Sequence, residues 1–451
     1  MIITNKQELI IPYNYTPRPY QLGLWQAMIE DKKKRAIYVW HRRAGKDLLA
    51  LNRILYSAMF EAVGTYWHIF PSYAQGAKSV WQETDSSGRK YIDYIPRELI
   101  AKRNEKELKI TLKNGSIYQI VGSDNPDSLR GAGIKGAVFS EYAEQDPRAW
   151  ATIQPMLLEN NGWAMFNFTP KGQNHAYELF KMAQKMPDVW HSEIKTALET
   201  EVFTQEQLEQ VKAEILSEGK TLDFFNQEFL CSFNNPIEGA YYSKIIDELE
   251  KQGKIGNYPW EQQLPVFTFW DLGVGDATTI WFAQFIGNEI RIIDYIEDNN
   301  KGLNSYIKEV KDKPYIYEQH YAPHDIQIRE FSNGKSRLET ALELGLRFSI
   351  APRLSIEDGI NAVRSILHKC FFNEATTKKG VLCLKNYKKD FDNKNNVFKL
   401  QPKHDWASHG ADAFRYLAVS YRKNIAQSNI PDEYILEEYI NASNRNSITG
   451  Y

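Results

Sequence analysis

The sequence predicts two α/β domains in tandem, the first built on a mostly parallel sheet and the second on a mixed sheet. Three observations carry this. Up to about residue 235, short apolar runs alternate with segments of helical periodicity, as buried parallel strands and their crossover helices do. At CSFNNPIEGAYY the periodicity breaks on Asn-Asn-Pro and Gly239. Beyond it, three consecutive strand patterns precede alternating helical and strand segments.

In the first half the strand candidates are residues 36–40, 65–70, 137–139 and 163–168, each a run of apolar and aromatic residues bounded by turns. LKITLKNGSIYQIV adds a hairpin, because Asn114-Gly115 supplies the positive φ angles of a two-residue turn. Residues 196–230 are polar and helical in pattern. These features place a first domain at 1–232 and a linker at 233–262. A second domain follows at 263–423, with strands at 266–272, 277–286 and 289–295, the last two joined at Gly287-Asn288. A helix at 303–311, a strand at 315–321 and helices near 338–344, 356–371 and 405–421 complete it, the strand–helix order of an RNase H-like sheet. Residues 424–451 carry Asp432, Glu433, Glu437 and Glu438 against Arg445 and read as an acidic tail.

Composition narrows the function classes. The 451 residues are 43% hydrophobic and 25% charged, an ordinary globular balance, and 55 basic against 57 acidic residues leave a net charge of −2. That excludes a globally basic DNA-coating protein but leaves room for a local basic groove. No run approaches the ~18 apolar residues of a membrane span, and the N-terminus lacks a signal-peptide pattern, so retention in the producing cell is expected. Cys231, Cys370 and Cys383 have no metal-ligand spacing and are expected to be reduced thiols.

The first chemical segment is AIYVWHRRAGKDLLALNRIL. A strand ends at Trp40, a loop carries Arg42, Arg43, Ala44 and Gly45, and Lys46-Asp47 opens a helix. Backbone N–H groups at such a helix start cradle phosphates, with the macrodipole adding positive potential, and Lys46 would reach the β- and γ-phosphates of ATP. The match to GxxxxGK[ST] lacks its first glycine and has Asp47 in place of Ser/Thr. Taken alone, a basic surface turn before a helix reads the same way. Further along, GAGIKGAVFSEYAE ends an apolar run at Ser140-Glu141, where a Walker B strand delivers carboxylates. Ser140 occupies the first acidic position, so Glu141 is the expected water-activating base. Asp47 is hypothesised to restore the missing charge at Mg²⁺. Thr169, in FNFTPK, stands where helicase-like ATPases sense the γ-phosphate, and Gln21, in TPRPYQ, where they read adenine. Arg130 is a candidate arginine finger, worth about 10³–10⁵ in rate when it reaches the transferring phosphate, with Arg42 and Arg43 competing for the role.

The second is a set of carboxylates. Asp271 ends an apolar strand in FTFWDLGVGDATTIW, Asp325 follows a strand in YAPHDIQ, and Asp412 lies in the helical SHGADAFRYLAVSYR. Buried unpaired carboxylates are costly and call for a metal, a cation or a raised pKa. Three within about 4 Å would repel by roughly 4 kcal/mol per pair at an effective dielectric of 20. Two hard divalent cations, Mg²⁺ or Mn²⁺, remove that penalty and can activate water against a phosphodiester. Asp276 and Asp294 are candidates for a fourth ligand. Asp405, His409 and Asp412 at i, i+4 and i+7 would share a helix face. Lys378, Lys379, Lys388 and Lys389 flank these helices as candidate phosphate contacts.

HRRAGKD, VFSEYAE, FWDLGVGDATTI, YAPHD and SHGADAFRY, in this order, resemble the terminase large subunits of tailed phages, particularly the HK97-like branch. The resemblance runs from about residue 17 to 422. It implies an N-terminal P-loop ATPase of the additional-strand type that drives double-stranded DNA through a portal, and an RNase H-like endonuclease that cuts concatemers. It carries the ATPase roles, with ATP and Mg²⁺, onto Lys46, Glu141 and Thr169, and the metal-binding nuclease roles onto Asp271, Asp325 and Asp412. It further implies a portal protein, a small terminase subunit, a pentameric ring on the procapsid and a place in the host cytoplasm, with no membrane. DNA contacts would be phosphate-directed and largely sequence-independent. A repair helicase–nuclease would need a second RecA-like domain where the RNase H-like pattern stands. A non-catalytic capsid or portal-vertex component that keeps the fold without turnover is the rival of another class.

Overall fold

The computed structural model describes residues 2–4, 7–219, 221–234, 237–273, 277–299, 301–329, 334–392 and 397–428. The chain divides into two compact units, Met1–Pro236 and Ile237–Tyr451.

The first unit is built on eight strands: β1 (Arg35–Trp40), β2 (Thr65–Phe70), β3 (Ile100–Asn104), β4 (Lys109–Leu112), β5 (Ile117–Gly122), β6 (Ile134–Ser140), β7 (Trp163–Phe168) and β8 (Trp190–Lys195). Their order in the sheet is β8-β1-β7-β6-β2-β5-β4-β3. From β8 to β5 every pair is parallel, and the last two pairings are antiparallel. The extra strand β7 lies between β1 and β6, the arrangement of an additional-strand P-loop ATPase. Every residue of β7, and all of β1 after Arg35, is buried, as the continuous apolar runs require. A hairpin joins β4 to β5, but its turn is not of two residues: Lys113, Asn114 and Gly115 lie between the paired Leu112 and Ser116, and of Asn114 and Gly115 only Gly115 has a positive φ, at +91°. Its expected partner strands are present, and β3 and β8 join them as more polar strands that alternation did not reveal.

The second unit has β9 (Ile255–Gly256), β10 (Val266–Asp271), β11 (Thr278–Ile286), β12 (Glu289–Asp298), β13 (Tyr317–Ala322), β14 (Phe348–Ile350) and β15 (Cys370–Asn373), ordered β9-β15-β12-β11-β10-β13-β14. The antiparallel β12-β11-β10 meander continues into parallel β13 and β14, the core order of an RNase H-like sheet. Residues 233–262, read from the sequence as a linker, instead contain helix α1 (Ser243–Lys251) and β9. Ile246 and Leu249 of α1 are buried in the second unit's core. The helix expected at 356–371 is helix α2 (Ile356–Leu367), and the apolar residues after it form β15. Helix α3 (Glu374–Asn386) was not foreseen, because its TTKKG stretch hides the apolar periodicity.

The closing helix α4 (Ser408–Ser428) seats Ala411, Ala413, Phe414, Leu417 and Ala418 in the core. Small residues let it approach the sheet closely. Its start is pinned where Trp281 Nε1 donates to the Gly410 carbonyl at 2.7 Å and Thr279 Oγ1 to the His409 carbonyl at 2.9 Å. Asp405 stands outside the helix and caps the turn before it, accepting from the Ala407 N–H, so only His409 and Asp412 share the helical face. Close approach also explains Gly380 on α3. A Cβ there would come within 2.5 Å of a ring carbon of the fully buried Trp281. Gly380→Ala is expected to destabilise the protein by about 1–3 kcal/mol through overpacking, read as a lowered denaturant midpoint with an unchanged m-value.

Candidate functional site

The first site lies at the carboxyl ends of β1, β6 and β7. Gly45, in the left-handed region at φ +76°, turns the chain into the Lys46–Phe60 helix. The loop before it is braced from the N-terminal segment. Gln21 donates through Nε2 to the Ala44 carbonyl at 3.0 Å and accepts from Tyr15 and from the Arg18 N–H. Gln21 is thus buried against the loop backbone. Lys46 is buried and its ammonium faces the Trp40 carbonyl at 3.3 Å, Thr169 Oγ1 at 3.1 Å and Glu141 Oε1 at 3.6 Å. Glu141 itself has φ +55°, a strained left-handed conformation that turns its side chain back over the strand ends. Its other oxygen accepts from the Thr169 N–H at 3.3 Å. The structure therefore brings Lys46, at the start of a helix, together with Glu141 and Thr169, just past the ends of β6 and β7.

Asp47 stands beside them. One of its oxygens, Oδ1, is buried and has no hydrogen-bond partner among the described residues. Burial pushes its carboxyl up to about 6, with Glu141 adding to this and Ser140, Lys46 and Asn167 offsetting part of it. An orphaned carboxylate oxygen, a buried ammonium and the N–H groups of a helix start are the donor set that a nucleotide with a divalent cation needs. The residues fit a nucleotide and a divalent cation.

Behind the site runs a buried polar network that the sequence reading missed. His68, in the middle of β2, contacts Ser140 Oγ at 2.8 Å and Tyr118 OH at 3.2 Å. Burial pulls its imidazole down to about 3, so it is neutral. Asn167 donates to Ser140 Oγ at 2.8 Å and to Tyr38 OH at 3.2 Å. The available signal was a polar residue inside an otherwise apolar strand, as in TYWHIF and WAMFNF.

The remaining arginines are engaged at the rim. Arg42 pairs with Glu228 at 3.6 Å, and Lys171 reaches the same buried glutamate at 3.1 Å. Arg43 pairs with Glu83 at 3.3 Å. Arg130 is exposed and held by Asp127 at 3.0 Å. Each arginine candidate is thus paired with an acid outside the Lys46–Glu141–Thr169 cluster.

The second site is at the ends of β10 and β13 and the start of α4. Asp271 ends β10, and its Oδ2 lies 3.4 Å from His409 Nδ1. Asp412 accepts from Tyr387 OH and faces the Arg415 guanidinium, each at 3.2 Å. Burial raises its carboxyl to about 6, with Arg415 opposing and the charge of Asp271 adding to the rise. Asp325 sits in the short turn His324–Gln327 after β13. All three aspartates act on the phenol of Tyr416, which burial and their charges push up. Among the described residues no three His, Cys, Asp or Glu side chains close into a group that could hold a metal ion. Asp271 instead faces His409, and Asp412 faces Arg415. Carboxylates pressed this way are still hard oxygen donors suited to Mg²⁺ or Mn²⁺.

Two further candidates resolve differently. Asp294 is neutralised by Lys313 at 2.5 Å and by Tyr315 OH at 3.0 Å, so it is not a fourth ligand here. Asp276, like the tail beyond residue 428, lies outside the described residues. Lys379 pairs with Glu297 at 3.2 Å, and Lys389 opens the hairpin strand Lys389–Asp392. Among the described residues no helix is long and apolar enough to cross a membrane. The cysteines are free and buried.

No family model matches the chain. The terminase large subunit of Escherichia phage T5 is 23% identical over 416 residues, covering 89% of this chain and 90% of that protein. The terminase large subunit of Thermus virus P23-45 is 25% identical over 182 residues, 37% of this chain and 36% of that one. Among solved structures, the large terminase of a thermophilic bacteriophage in complex with ADP aligns over 89% of this chain and 98% of its own, at 14% identity and a TM-score of 0.41. Over about nine-tenths of its length this chain resembles the large subunits of phage terminases.

Proposed function

We propose that the chain is a terminase large subunit that uses ATP to translocate double-stranded viral DNA into a procapsid and cuts concatemeric DNA with a metal-dependent nuclease. The observation that carries this reading is the meeting of Lys46, Glu141 and Thr169 at one end of an additional-strand sheet. Lys46 holds the β- and γ-phosphates, with the helix N-terminus behind it. Glu141 orients and deprotonates the attacking water. Thr169, hydrogen-bonded to both, registers the loss of the γ-phosphate, and the Lys171–Glu228–Arg42 pairs pass that change along the rim. Gln21 holds the loop and faces the adenine side. Arg130, exposed on its own loop, serves a neighbouring subunit of a pentameric ring as an arginine finger.

In the nuclease, Asp271, Asp325 and Asp412 would hold two divalent ions, and such ions would supply Lewis acidity and an activated water at the scissile phosphodiester. His409 orients Asp271, and Tyr387 and Arg415 fix Asp412. The working complex contains DNA, a portal protein and a small terminase subunit, in the host cytoplasm.

The test is to incubate supercoiled plasmid with the full chain and Mg²⁺ or Mn²⁺, with EDTA and Asp325→Ala as controls, and to follow ATP hydrolysis by the full chain and Lys46→Ala. Metal-dependent cutting lost in Asp325→Ala, and hydrolysis lost in Lys46→Ala, are expected. Cutting that survives Asp325→Ala removes the nuclease assignment. Hydrolysis unaffected by Lys46→Ala removes the ATPase assignment.

A further inference from the structure

We propose that the carboxylate holding the nucleotide's Mg²⁺ has moved from the strand to the helix: Asp47 binds the ion, and the buried chain Tyr118–His68–Ser140 aims it. This rests on the ATPase reading of the first site and names the residues that make it work.

The argument is one of hydrogen-bond accounting. A serine hydroxyl has two acceptor lone pairs and one proton. Ser140 Oγ stands 2.8 Å from His68 Nε2 and accepts from Asn167 Nδ2, also at 2.8 Å. Tyr118, buried beside His68, lies 3.2 Å from Nδ1, and in the tautomer we propose its hydroxyl donates there. Nδ1 then accepts, Nε2 carries the ring proton, and that proton goes to Ser140. Both lone pairs of Ser140 are thereby filled, leaving its own proton to point away from His68 and Asn167. Asp47 faces this network, its Oδ1 3.9 Å from His68 Nε2. That oxygen is buried and has no hydrogen-bond partner among the described residues, as a metal ligand should.

The two departures from the nucleotide-binding pattern become one compensated exchange. Where Ser/Thr would follow the lysine there is Asp47, and where an acid would end β6 there is Ser140. Charge and hydroxyl have traded places across a gap that the network spans. Had Asp47 been only a helix-start residue, neither its burial nor the network behind Ser140 would be needed.

The test is an equilibrium titration of Mg²⁺ against the full chain with a fluorescent, non-hydrolysable ATP analogue, so no turnover is required. For Asp47→Asn, an isosteric change, the Mg²⁺ needed for half of the metal-induced gain in affinity should rise about 10–100-fold. Metal-free affinity should stay within a few-fold. His68→Phe and Ser140→Ala should give smaller rises of the same kind, and the exchange D47S/S140D should return the Mg²⁺ response to near wild type. Melting curves check that each variant is folded. A wild-type Mg²⁺ response in folded Asp47→Asn overturns the proposal, as does a D47S/S140D protein that is folded and no better than D47S. Lys46→Ala separates the two levels: analogue binding unchanged by it would sink the ATPase reading, whereas binding lost there with Asp47→Asn unaffected sinks only the exchange.

Discussion

Glu141→Gln should slow ATP hydrolysis by about 10²–10⁴-fold, the usual worth of a positioned general base, with ATP affinity unchanged or tighter. The amide keeps an oxygen to accept from the Thr169 N–H, so the left-handed turn at residue 141 need not move. It also removes a negative charge 3.6 Å from Lys46, leaving the ammonium freer for phosphate. Loss of turnover without loss of binding is what separates a group acting in the transition state from one that holds substrate. Phosphate release and analogue binding, measured on the same preparation, decide it. Turnover within three-fold of wild type would return Glu141 to a structural role at the strand end.

If Asp271 holds a divalent ion as proposed, Asp271→Asn should reduce metal-dependent DNA cutting by at least about 10³-fold, because a ligand carboxylate sets the alignment of the ion it holds. Its second readout is stability in EDTA. Asp271 is one of the charges that raise the Asp412 carboxyl, so the melting temperature should hold or increase when that charge is removed. A residue important only for packing would behave oppositely, losing stability along with activity. A variant that cuts normally with either metal would exclude Asp271 from the site.

Much of this was legible in the sequence because it was written in contrasts. Continuous apolar runs marked β1, β2, β6 and β7, and a single charge at the end of such a run marked Asp271 and Glu141. Elements that mix polar and apolar residues at an edge, such as β8 and β9, carry no such contrast and depend on neighbours distant in sequence. Partnership is harder still. Asp294 has the composition of a ligand, and only the fold brings Lys313 to it from the segment before β13. His68 is unremarkable in its strand until β5 and β6 flank β2 and supply Tyr118 and Ser140.

The short helix Ser243–Lys251 and the edge strand Ile255–Gly256 bear on how the chain can be divided. A fragment starting near 263, where the first long strand begins, would strip away Ile246 and Leu249 and leave the apolar surface beneath them wet. It would also leave the outer edge of β15 unpaired, an invitation to pair with another copy. A protease cut or a domain boundary placed before residue 237 keeps both coverings with the second unit. Soluble expression of that half should therefore turn on about twenty-five residues that the strand pattern alone would discard.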